Sequence, residues 1–478
     1  MSLPILIQGG MGIGVSSWQL ARAVSHLGQL GVVSGTGLDM ILVRKLQDGD
    51  LDGNLRRAFR HFPQQEIVER VMSQFYIHGG RAKNHPYAQL PLLSRKISKD
   101  RIEIIILANF SEVFLAKEGH PFGVGINLLE KVQIPTLPSL YGAMLAGVDY
   151  VLMGAGIPNE IPGALDLLSR HRHTELSFGV LNSSPHPFKL RFDPKEFLKL
   201  SFPFPLRRPK FFPIISSAIL GASLVKKANG KIDGFVVEGS TAGGHNAPPR
   251  GELHLSESGE PIYSDRDRVD LEKLKKLDLP FWLAGSFGSH EKLKEARNSG
   301  AVGIQVGTAF AFCKESGLDE RFKMAVIEDV LQNRVHVFTD PYASPTGFPF
   351  KVVQMKESLS DKSIAESRER RCDLGYLRQA YQRDDGTLGY RCPAEPVQDF
   401  IRKGGSIEKT EGRKCLCNAL FANIGLGQIK KDGTPELPLI TAGDDCQSLK
   451  QWISNDKKSY AARDVVETLL GDITSIHD

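Results

Sequence analysis

The chain has little cysteine and no hydrophobic run of membrane length. Six cysteines in 478 residues, with Met1-Ser-Leu-Pro4 running straight into a strand-like segment, leave no room for a leader and argue against a secreted disulfide framework. No stretch approaches the roughly 20 apolar residues of a membrane span. Charge of one sign is also scarce: the formal net charge is +5, with no basic stripe carrying interleaved aromatics, so nucleic acid is not implied. A cytoplasmic protein is expected. With 41% hydrophobic and 24% charged residues, its composition is that of an ordinary globular chain.

What is present is a repeated unit: an apolar run of strand length, a turn of small residues, then helical spacing. Phe235 to Glu238 leads into Gly239 to His245, where glycines let the backbone approach a planar ligand and the imidazole can handle protons near neutral pH. Phe281 to Gly285 and Ser286 precede a helical segment from His290 to Asn298. Ala301 to Thr308 follows in the same style. Gly-rich turns at helix N-termini offer N–H groups to phosphate. The first segment, Pro4 to Gln8, ends in Gly9, Gly10, Met11 and Gly12 before a helix from Ser16 to Leu27, capped by Ser16 or Ser17.

Nine strand-like segments are found, near 4–8, 31–34, 122–127, 149–153, 176–181, 212–216, 234–238, 280–285 and 302–306. The fifth carries a turn cluster, so it reads as a β-hairpin inserted after the fourth stave. Eight staves alternating with helices, such as 137–146 and 218–228, define an α/β fold, a (β/α)8 TIM barrel. A doubly wound sheet would place its phosphate turn early; here the signals come late, after strands seven and eight. The barrel occupies residues 1–350, with a helical insertion at about 49–120 after the second strand and the hairpin insertion at about 176–210. The insertion is read either as a lid or substrate wall, with Tyr76 to Gly80 and Lys83 to Tyr87 as its polar, aromatic spots, or as a packing brace. The proline-rich stretch 201–209 reads as a stiff connector.

Ile7 to Met11, Gly123 to Asn127, Gly154 to Gly156, Ala242 to His245, Leu283 to Gly285 and Gln305 to Thr308 together resemble the nitronate monooxygenase (2-nitropropane dioxygenase) family. That family includes the flavin-dependent enoyl reductases of fatty acid and polyketide synthesis. The resemblance spans residues 3 to about 350. It implies non-covalent FMN held by Gly9, Gly10, Met11, Asn127, Ala242, Gly243, Gly244, Ala284, Gly285, Ser286, Gln305, Val306, Gly307 and Thr308, with the phosphate at Gly285 and at Gly307-Thr308. His245 is the implied catalytic residue, taking a proton from a nitroalkane or stabilising an enoyl thioester carbonyl. Glu238 reads as orienting the loop or, preferably, as a capped strand-end carboxylate. Three functions follow: oxidation of alkyl nitronates with O2; reduction of an acyl thioester with NAD(P)H as electron donor; or a flavin-binding subunit without catalysis, disfavoured because His245 is kept. Gln8-Gly-Gly-Met11, in place of a Pro-Met form, leans toward the reductase. The substrate is a small molecule or an acyl thioester, and a homodimer stays open.

Residues 351–478 form a C-terminal extension. Cys372, Cys392, Cys415 and Cys417 fall close together there. Four thiolates could bind zinc or hold an iron–sulfur cluster. Without a Cys-x-x-Cys knuckle, the spacing favours buried thiols acting as small hydrophobes over a metal site. Cys313 sits in an apolar helical run and reads as core; Cys446 is a stray fifth ligand or nothing.

Overall fold

The computed structural model describes residues 3–183, 188–199, 204–430 and 432–471. Eight parallel strands carry the fold: β1 (Leu6–Gln8), β2 (Gly31–Ser34), β3 (Val124–Leu129), β4 (Tyr150–Gly154), β5 (Lys210–Ile215), β6 (Phe235–Glu238), β7 (Phe281–Ala284) and β8 (Gly303–Val306). They pair in chain order from β2 to β8, and β8 pairs with β1. A parallel bridge between Ile7 and Leu30 closes the ring, with Gln8 N–H donating to the Leu30 carbonyl at 2.9 Å. The chain is a TIM barrel, with its eight staves at the segments read from the sequence.

Alternation along each strand divides two cores. Ile7, Val32, Leu152, Phe212, Val236 and Trp282 fill the barrel interior. Their neighbours Leu6, Val33, Val151, Phe211, Val237 and Leu283 face the surrounding helices. Trp282 is fully buried, stacks on Phe212 at 4.8 Å and donates its indole N–H to the Pro4 carbonyl at 2.8 Å.

Helix Lys99–Lys117 is apolar on nearly every side because helices cover it on several faces: Trp18–His26, Leu38–Gln47, Asn54–Phe59, Gln65–Phe75 and Thr136–Leu145. A helix wrapped in this way has no solvent face to make polar. It is the connection that returns the chain to β3, and the shorter helices before it brace its outer side.

Thr174–Phe178 and Phe188–Phe192 pair antiparallel as a hairpin, with Leu176 opposite Leu190. Its middle, 184–187, and the start of the proline-rich connector, 201–203, lie outside the described residues. Next to it, Val180–Leu181 pairs with Gln379–Gln382 of the C-terminal region.

That C-terminal region packs into the barrel's own core. Cys417, Phe421, Ile440, Trp452, Tyr460 and Leu469 belong to the same buried cluster as the barrel's outer layer. Strand Phe350–Val353 pairs with Val337–Asp340 on one side and with Gly244–His245 on the other. No helix among the described residues is long and apolar enough to cross a membrane.

Candidate active site

The C-terminal ends of the staves open into one cavity of about 550 Å³. The turn after β1, the end of β3, the loop after β6 and the turns after β7 and β8 all line it. Every residue to which the sequence assigned cofactor contact, from Gly9 to Thr308, lies on this wall, and so does His245. None of residues 49–120 does. The cavity's roof comes from the C-terminal region: Tyr376, Leu377, Leu416, Cys417, Leu420 and the segment Ile440 to Asp445.

The wall offers a ligand a close glycine turn and several unpaired polar atoms. A Cβ on Gly10 would stand 2.2 Å from Cβ of Asn127, so only glycine allows this turn to lie against β3; Asn127 Nδ2 donates to the Gly10 carbonyl at 3.2 Å. Asn127 Oδ1, Asn246 Oδ1, Ser286 Oγ and Gln305 Oε1 are buried and lack a protein partner among the described residues. Buried polar atoms need partners, and four of them on one cavity wall fit a ligand with several polar edges. Gly285, at φ 95°, and Ser286, at φ 55°, form the turn after β7. These residues fit a flavin, with its phosphate at the two late turns.

A carboxyl also stands beside those turns. The Asp445 carboxyl accepts from the Thr308 hydroxyl and the Gly288 N–H, while Thr308 Oγ1 accepts from Gly443 N–H at 2.9 Å. Burial pushes the Asp445 carboxyl above its usual range. A phosphate beside it meets a neutral acid at low pH and a second negative charge once the acid ionises. Flavin affinity is therefore expected to weaken as pH rises through that titration, and Asp445→Asn to tighten binding roughly tenfold, about 1.4 kcal/mol. Fluorescence titration of stripped protein with flavin at several pH values measures this. Equal affinity in both proteins would show that Asp445 does not meet the phosphate.

His245 is not at a free turn tip, as the sequence suggested. Its short strand is held by pairing with Phe350, whose ring lies edge-on at 4.7 Å. His245 Nε2 lies 2.7 Å from Ser344 Oγ, Ser344 Oγ lies 2.8 Å from Thr346 Oγ1, and Lys131 Nζ reaches Thr346 Oγ1 at 3.4 Å. Burial, with the nearby Lys131 charge, lowers the imidazole pKa well below its ordinary value, so the ring is neutral at neutral pH. Burial brings Lys131 down to about 7, offset by Glu130 and Glu238, and raises Glu238 to about 7, offset by Lys131.

Sequence reading missed Lys131, Ser344, Thr346 and Asp445, and gave Glu238 a purely structural place. Glu238 lines the cavity. A lysine two residues beyond the C-terminal end of β3 sits on the face where barrel enzymes keep their chemistry, a signal the sequence did contain. Nothing local marks Ser344 or Thr346, which reach the site only through the pairing of Phe350 with His245.

Residues 210–341 match the family model for nitronate monooxygenase. The match covers a little over a quarter of the chain, from β5 through β8, and the resemblance read from the sequence holds there. Barrel and matched segment together define the class, an oxidoreductase enzyme similar to that family. No curated relative matches the chain by sequence. Among solved structures, FabK from Thermotoga maritima is 14% identical, with 99% of this chain and 93% of that one covered and a TM-score of 0.49. Nitroalkane oxidase from Streptomyces ansochromogenes is 15% identical over 99% and 96%, with a TM-score of 0.45. The enoyl reductase domain of MlnA from Bacillus amyloliquefaciens is 12% identical over 99% and 94%, with a TM-score of 0.47. The barrel assignment itself rests on this chain's strand pairing.

Proposed function

We propose that the chain is an FMN-dependent reductase that uses NAD(P)H to saturate the double bond of an enoyl thioester. The observation that carries this reading is the hydrogen-bonded line from Lys131 through Thr346 and Ser344 to His245. Saturating such a bond adds a hydride equivalent at one carbon and a proton at the other. Bound flavin supplies hydride chemistry. The proton is what this chain supplies: Lys131 holds it, the two hydroxyls pass it on, and neutral His245 delivers it at the cavity wall. General acid–base assistance of this kind contributes about 10²–10⁴ in rate.

Oxidation of alkyl nitronates with O2 is the second reading. It is favoured by the matched family and by a neutral His245 able to accept a proton, but it leaves the Lys131 line without a task. Anaerobic mixing with NADPH, NADH or propyl-2-nitronate, followed at the flavin band, separates the two. Fast bleaching by a pyridine nucleotide, reversed by a crotonyl thioester, is expected. Bleaching by nitronate alone would move the assignment to the oxidase.

The pH profile gives a further test. Lys131, brought down to about 7, is protonated below that value and loses its proton above it. Turnover limited by protonation is thus flat below about pH 7 and falls roughly tenfold per unit above. Lys131→Met should lower turnover at every pH and remove the alkaline limb. A limb that survives in this variant belongs to another group.

A further inference from the structure

Cys372, Cys392 and the pair Cys415 and Cys417 come from three stretches of the C-terminal region yet line one small void. Cys392 follows the strand Leu388–Arg391, Cys415 caps the helix Leu416–Asn423, and Cys417 lies in that helix's first turn. All four are free thiols. We propose that these four cysteines hold an iron–sulfur cluster against the wall of the flavin cavity.

Hydrogen bonding at the sulfurs supports it. The Ala394 N–H donates to Cys392 Sγ and the Leu377 N–H to Cys417 Sγ; Asn418 donates to Cys415 Sγ through its backbone N–H and, at 3.5 Å, through Nδ2. Neutral thiols packed as small hydrophobes gain little from several N–H donors, whereas metal-bound thiolates are stabilised by them.

Charge points the same way. Arg378 and Lys403 act on Cys372, Arg368 on Cys415, and Arg370 and Arg413 on Cys392. Among acids, Glu395, Glu436 and Asp373 act on the same sulfurs. Four thiolates on a cubane core of double positive charge carry a net double negative charge, which basic side chains around the sulfurs offset.

The void between the sulfurs favours a cluster over a lone ion. Zinc takes four sulfurs at about 2.3 Å, which draws them nearly into contact and leaves no void. Among the described residues, no group of three or more His, Cys, Asp or Glu side chains is disposed to hold a metal ion. A cubane binds one thiolate at each of four iron corners and needs the wider ring around a central space. Leu377, Leu416 and Cys417 line both this void and the flavin cavity. The inference does not depend on which substrate the flavin site takes.

The test uses the full chain, purified without oxygen and, in a second arm, reconstituted anaerobically with ferrous iron and sulfide. Iron and acid-labile sulfide in equal amounts, with a cluster signature by Mössbauer spectroscopy, to which flavin is silent, are expected. Cys392→Ser and Cys415→Ser should lose most of the iron, while Cys446→Ser keeps it. Zinc in place of iron would overturn the proposal. So would a folded, reconstituted wild-type chain that retains no iron or sulfide, or iron retained equally by all three variants.

Discussion

Replacing His245 with alanine is expected to lower turnover about 10²–10⁴-fold while leaving bound flavin unchanged. The imidazole ends the line of hydroxyls from Lys131, at 2.7 Å from Ser344 Oγ, and lines the cavity beside Glu238. Its removal takes away the last proton carrier and none of the turns that fit the phosphate. Ser344→Ala should fall between the variant and the wild type, since water can partly replace a hydroxyl but not an imidazole. Steady-state turnover alongside the visible spectrum of each purified protein checks both statements. Unchanged turnover in His245→Ala removes the residue from the chemistry; lost flavin would make it a cofactor ligand instead.

The largest expected loss of stability lies where the C-terminal region is fastened to the barrel. Arg101 Nη2 meets Asp39 Oδ2 at 2.6 Å with both side chains 4% exposed, and the Tyr376 hydroxyl donates to Asp39 Oδ1 at 2.6 Å. Asp39→Ala leaves a buried guanidinium and a buried phenol without their acceptor, which costs about 3–5 kcal/mol. Tyr376 also roofs the cavity, so flavin retention should fall with stability. Lys362→Ala, at an ion pair whose side chains are 89% and 67% exposed, should change stability by no more than about 0.5 kcal/mol. Urea denaturation of the three proteins measures the contrast. Equal midpoints would mean that the tail docks without this triad.

The staves were legible because each is a short apolar run, most of them beside a glycine, followed by helical spacing. Phe211 and Phe212 show the limit of that signal: both are apolar, and only the closed ring decides which faces the interior. The cavity wall was legible for the same reason, since the turns after β1, β6, β7 and β8 are written as small residues next to strands. Its roof was not. Leu416 and Leu420 read as an ordinary helix face, and Asp445 as one acid in a charged tail; their place over the barrel follows from pairings across more than a hundred residues. The insertion was ambiguous because a largely apolar helix, such as Lys99–Lys117, looks the same whether neighbours cover it or a ligand does. Glu238 was undervalued because its raised titration comes from burial, partly offset by Lys131, a residue just past the end of another stave.

The central claim is that the cavity at the mouth of the barrel is a flavin mononucleotide site. Heat release of the ligand from purified protein, followed by chromatography against flavin standards, tests it most directly. One FMN per chain is expected, with the phosphate-free flavin absent. A colourless protein that cannot be reconstituted with FMN under any pH at which it stays folded would contradict it.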